Sequence, residues 1–195
     1  MMDGSFSNLD NVCLSGGADG ADLQWGMVAG LAGHAVVHFH FDGHRSKAPV
    51  QELVKLSQEK LAAADEYLMK ANKTMNRRWP VSNQFVGNLL RRNYYQVAWS
   101  DAVYAVASIE NGMVTGGTCW ASQMFLDRFE PGQPVPAYVY DQKTSQWLTW
   151  GGTSWEPIVS PPVPAGVWAG IGSRELGDNG KQAIRDLLGY NKPVL

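Results

Sequence analysis

Leu14-Ser15-Gly16-Gly17-Ala18-Asp19-Gly20-Ala21-Asp22 follows a short apolar run, Val12-Cys13-Leu14, and opens onto a helical pattern over residues 23–31. A strand that empties through a glycine-rich turn into a helix N-terminus is an anion site. Small residues let the backbone approach a phosphate, and the free N–H groups and the helix dipole point at it. Asp19 and Asp22 would repel a phosphate lying directly on them, and fit better as a helix cap or as acceptors for ribose hydroxyls. By itself the stretch is equally well read as a tight strand-to-helix turn with a capping Asp.

The same grammar recurs along the chain. Ala35-Val36-Val37-His38-Phe39-His40-Phe41 reads as a second strand, with His38 and His40 on one face near its C-terminal end, where ligand crevices form. Residues 50–72 read as one amphipathic helix carrying Leu53, Leu56, Leu61 and Leu68, and residues 83–100 as another. In the latter, Arg91 and Arg92 point in different directions, so at most one reaches a given ligand. Ala102-Val103-Tyr104-Ala105-Val106-Ala107 is a continuous apolar run, as in a parallel strand covered on both faces. Val114-Thr115-Gly116-Gly117-Thr118-Cys119-Trp120 and a helix over 121–129 make a second strand–glycine turn–helix unit. Val167-Trp168-Ala169-Gly170-Ile171-Gly172-Ser173-Arg174-Glu175 makes a third, with Asp178 or Asn179 capping the last helix. In helix 22–33 the stripe Leu23, Met27, Gly30 and Leu31 is expected to face the core.

Alternating strands and helices predict an α/β fold, Rossmann-like, with a mostly parallel sheet and helices on both faces. One domain spans 1–195, with a small Trp-rich β-hairpin insertion at 145–158 around Trp147, Trp150, Gly151-Gly152 and Trp155. The three glycine turns all fall at the carboxyl ends of their strands, so they are expected to share one crevice. The chain has 195 residues, 45% of them hydrophobic, with net charge −2 and a pI of about 6.1. That balance argues against general nucleic-acid binding, which needs a basic face. Two cysteines, Cys13 and Cys119, make no disulfide or metal framework, and His38, His40 and His44 lack partners at zinc spacing. With no stretch suited to a signal peptide or a membrane span, the expectation is a soluble cytoplasmic protein, in the host cell if the source is viral.

Gly170-Ile171-Gly172-Ser173-Arg174-Glu175 and Ser15-Gly16-Gly17-Ala18-Asp19-Gly20-Ala21-Asp22 resemble motifs of the SLOG superfamily, the DprA-, YpsA- and LOG-like Rossmann-type proteins. Gly116-Gly117-Thr118, after Ser100-Asp101 and an apolar strand, is similar to the third glycine signature of that group. In many relatives the Gly-Ser-Arg strand precedes the Ser-Gly-Gly strand; here the order is reversed. The chain therefore resembles a circularly permuted YpsA-like member, from the branch often labelled a molybdenum-cofactor carrier, and its first and last strands should lie side by side.

The resemblance implies a nucleotide or ADP-ribose-like ligand, bound for sensing or sequestration, and a homo-oligomer. Ser15, Gly16, Gly17, Ala18, Gly116, Gly117, Thr118, Gly170, Gly172 and Ser173 would cradle phosphates, with Arg174 as clamp and Arg92 and His40 beside them. Asp19, Asp22 and Glu175 would read the sugar or base. Some members cleave N-glycosidic bonds with a glutamate just after the third glycine signature. This chain reads Cys119-Trp120-Ala121-Ser122-Gln123 there, without a carboxylate. An N-glycosidase reading therefore needs Asp22, Asp101 or Glu175 as the catalytic group. A third reading is a protein-interaction module working through the Trp-rich hairpin.

Overall fold

The structure, a computed structural model, describes residues 10–190. In chain order it contains β1 (Asn11–Ser15), α1 (Ala21–Leu31), β2 (Ala35–His40), β3 (Leu53–Lys55), α2 (Gln58–Ala63), α3 (Asp65–Met75), α4 (Gln84–Val97) and β4 (Ala102–Ala107). There follow β5 (Ile109–Glu110), β6 (Met113–Val114), α5 (Thr118–Leu126), β7 (Val135–Asp141), β8 (Gln146–Trp150), β9 (Trp155–Ile158), β10 (Gly166–Gly172) and α6 (Asp178–Leu187).

Eight strands form one sheet in the order β3-β2-β1-β10-β4-β7-β8-β9. The first six are parallel, while β8 and β9 add antiparallel at the β7 edge. β1 and β10 are direct neighbours, with Val12 opposite Val167 and Leu14 opposite Ala169.

Helices cover both faces, and strand alternation proves it. In β4, Val103, Ala105 and Ala107 pack with α3, α4 and α5, while Tyr104 and Val106 pack with α1 and α6. Each central strand is thus apolar on both sides, which is why β4 reads as an unbroken hydrophobic run. A third cluster, Val12, Leu14, Phe39, Leu61 and Tyr95, packs α2 and α4 against the β1–β2 side.

Several expected elements differ. Residues 50–72 are not one helix. Leu53–Lys55 pair in parallel with His38–His40, and helix starts again at Ser57, whose side chain accepts the Lys60 N–H at 3.2 Å. Pairing at the sheet edge outweighs the local helical pattern. Of the expected strand and glycine turn over 114–120, only Val114 is in a strand, the short β6 that pairs back on β5, and α5 starts at Thr118 instead of Ala121.

The stripe Leu23-Met27-Gly30-Leu31 is not a core face; Met27 and Leu31 are exposed, and α1 buries Ala21, Asp22, Trp25, Gly26, Val28 and Ala29 instead. Trp25 occupies the space above Gly170 and donates its indole N–H to the Ile171 carbonyl at 3.0 Å, which fixes that rotation. Gly177 caps α6, not Asp178 or Asn179; the Asn179 amide instead donates to the Gln142 carbonyl and Ser145 Oγ. At the β8–β9 edge, Trp147 is buried, and Trp150 and Trp155 meet edge-to-face against the core, so all three cover the core's edge. Among the described residues no helix is long and apolar enough to cross a membrane.

Candidate functional site

At the carboxyl ends of β1, β10 and β4 lies a crevice of about 570 Å³. Ala18, Asp19 and Asp22 line it from the first glycine turn, Gly116, Gly117 and Thr118 from the second, and Gly172, Ser173, Arg174 and Glu175 from the third. The turns expected to converge do so. The volume falls in the range of small-molecule sites.

The first and third turns are bolted together. The Ala21 N–H donates to the Ser173 carbonyl at 2.9 Å, and Gly20, at φ 97°, brings its backbone so close to Arg174 that a Cβ would sit 2.3 Å from the Arg174 carbonyl oxygen. No side chain fits there. Gly16 is required for another reason: its Cβ would fall 1.1 Å from Arg92 Nη1, so the missing side chain makes room for a guanidinium.

That guanidinium belongs to a buried network. Arg92 Nη1 donates to Asp22 Oδ2 at 2.8 Å, Gln96 Nε2 donates to the same oxygen at 3.2 Å, and the Gly172 N–H donates to Oδ1 at 3.2 Å. Burial pushes the Asp22 carboxyl above its usual range, while the Arg92 charge and these hydrogen bonds pull the other way. Asp22 is thus a strut between turns, with most of its acceptor capacity taken by the protein.

The second turn has different electrostatics. α5 begins at Thr118 with no acidic residue in its first turn, whereas α1 carries Asp22 there. The unpaired N–H groups of a helix start therefore favour an anion at α5 more than at α1. Cys119 beside it donates to the Gly116 carbonyl at 3.0 Å, and burial pushes its thiol up to about 11, so it is no nucleophile at neutral pH.

Other expected site residues lie elsewhere. Ser15 is buried with its hydroxyl on the Gly170 carbonyl at 2.6 Å, so it holds β1 to β10 instead of facing the crevice. Gly16, Gly17 and Gly170 do not line it either. Gly16 backs Arg92, the Gly17 carbonyl accepts from Ser46 Oγ at 2.7 Å, and Gly170 lies under Trp25.

His40 ends β2 opposite Lys55, outside the crevice. Asp101 sits at the other end of the sheet, its N–H donating to the Val167 carbonyl at the start of β10, so it is placed for no chemistry at the glycine turns. Asp19 is on the rim in an exposed ion pair with Lys47, and Arg174 and Glu175, on the adjoining third turn, are exposed as well. Of the adjacent arginines, Arg92 faces inward and Arg91 pairs with Asp65 on the outer side.

Apart from Arg92, the wall supplied by α4 was not anticipated from the sequence. Asn83 caps it, accepting the Val86 N–H at 3.1 Å. From that start, Val86, Leu89, Leu90, Arg92, Asn93 and Gln96 fall on the crevice side. Asn93 Nδ2 donates to the Gly117 carbonyl at 3.1 Å, joining α4 to the second turn. The available signal was polar residues, Asn93 and Gln96, inside an otherwise apolar helical stripe.

Comparison of the chain with protein-family models, curated proteins and solved structures returns no match.

Proposed function

We propose that the crevice binds a nucleotide or an ADP-ribose-like small molecule, for sensing or sequestration. The observation that carries this is the convergence of three glycine turns on one cavity, with Arg92 inside and Arg174 at its mouth. In this reading a phosphate sits at Gly116-Gly117-Thr118, where the first turn of α5 carries no acidic residue, and Arg174 closes over a second anionic group. The aliphatic wall of Val86, Leu89 and Leu90 supplies apolar cover for a base. The adjacency of β1 and β10 supports the reading of the chain as a circularly permuted SLOG-type domain. A homo-oligomer belongs to the same proposal.

Calorimetric titration and thermal unfolding with AMP and ADP-ribose test this. Ligand at one hundred times its dissociation constant should raise stability by about 2.7 kcal/mol. If neither compound binds or raises the Tm, the reading falls. The carboxylates lining the crevice, Asp19, Asp22 and Glu175, are the observation that keeps N-glycosidic cleavage as a second reading. Release of free base on incubation supports it; recovery of intact ligand refutes it.

A further inference from the structure

We infer that Asn93 and Gln96 read the vicinal hydroxyls of a ribose, making the crevice selective for ribonucleotides over deoxyribonucleotides. This rests on the nucleotide reading above.

The argument starts from which way each amide faces. Asn93 Nδ2 donates to the Gly117 carbonyl, and Gln96 Nε2 donates to Asp22 Oδ2. A carbonyl and a carboxylate can only accept, so both amide flips are set by their neighbours. Each residue must then turn its oxygen away from that anchor. Neither Asn93 Oδ1 nor Gln96 Oε1 accepts a hydrogen bond among the described residues, and neither is an orphaned buried atom. Both residues are almost fully buried and both line the crevice, so what exposure they keep opens onto it.

The result is two hydrogen-bond acceptors one helical turn apart on α4, in a desolvated wall. They call for a ligand with two O–H or N–H donors. Their place favours a sugar over a base: Asn93 is bonded to Gly117, which caps the helix proposed to hold the phosphate, and the ribose is what the 5′-phosphate carries. Val86 and Leu89, further along the same helix, present no donor or acceptor side chain and suit the base. Neither amide ionises, so the pair selects without taking part in proton transfer.

The test is calorimetric titration of the full chain with AMP, 2′-deoxy-AMP and 3′-deoxy-AMP. Each deoxy compound should bind about tenfold weaker than AMP, because it leaves a desolvated acceptor unpaired. In Asn93→Leu and Gln96→Met, one of the two ribo-to-deoxy ratios should collapse in each variant; a ratio is insensitive to a general loss of affinity. Equal binding of the three ligands by the unaltered chain, or ratios retained in both variants, overturns the inference and leaves nucleotide binding standing. Failure of all three ligands to bind overturns both.

Discussion

Arg92 Nη1 donates to Asp22 Oδ2 at 2.8 Å, and both side chains are more than nine-tenths buried. This pair crosses from α4 to α1 and holds the floor of the crevice. Removing one partner of such a pair leaves a buried charge without compensation, which typically costs about 3–5 kcal/mol.

Arg92→Met should therefore destabilise the protein by an amount in that range, read by urea unfolding. The double change Asp22→Asn with Arg92→Met should cost clearly less than the sum of the two single changes, since no charge is then stranded. Strict additivity would mean that the pair is not coupled.

Gly16→Ala and Gly30→Ala should have opposite signs. At Gly16 a methyl group must displace the Arg92 guanidinium, so both stability and ligand affinity fall. At Gly30, in α1, the nearest atom to a new Cβ is Val36 Cγ2 at 3.8 Å, and the change should stabilise by about 0.5 kcal/mol through reduced chain entropy. Melting temperatures of the two variants check this, and a tolerated Gly16→Ala would remove the steric account of that turn.

Ser15→Ala and Arg174→Ala should separate stability from binding. The buried Ser15 hydroxyl bonds only within the protein, so its loss should cost about 1 kcal/mol and leave ligand affinity unchanged. Arg174 is exposed and forms no ion pair among the described residues, so Arg174→Ala should leave the Tm in place and weaken an anionic ligand about tenfold. The reverse pattern would place the ligand somewhere other than this crevice.

His38 should make the protein acid-sensitive. It is fully buried beneath α1, where its Nε2 lies 2.2 Å from the position of a Cβ on Gly26, and Glu52 Oε2 is 3.7 Å away. Burial first, then the Arg92 charge, lowers its pKa to about 4. The unfolded chain binds more protons between pH 6.5 and 4, so stability is full above that window and is lost as pH falls through it, by up to about 3 kcal/mol. His44, also lowered to about 4, acts in the same direction. His38→Gln should flatten this acid limb in a plot of Tm against pH; an unchanged limb would exonerate His38.

Much of the fold was legible because its signals are local. Val103 to Ala107 has no polar residue, and a strand buried on both faces needs none. Asn83 and Gly33 mark helix ends through caps and backbone angles that a few neighbouring residues determine. The failures came where a distant partner outweighed a local pattern. Leu53 and Leu56 fit a helical stripe, yet pairing with β2 holds Leu53 to Lys55 extended. Met27 and Leu31 looked like core residues until Trp25, packed over Gly170 and bonded to Ile171, fixed the rotation of α1.

In the site, the sequence by itself determined three glycine turns at strand ends: Gly17, Gly20 and Gly116 take positive φ, and Gly16, Gly170 and Gly172 leave no room for a Cβ. The tertiary structure decided what each turn's neighbours do. Ser15 and Asp101 have the chemistry of site residues, yet one bonds across strands and the other lies at the far end of the sheet. Asp22 became a strut for Arg92 and the Gly172 N–H, and Asn93 and Gln96 entered the wall. Those roles depend on hydrogen bonds between residues 24 to 150 positions apart, set only when α4 packs beside β1 and β10.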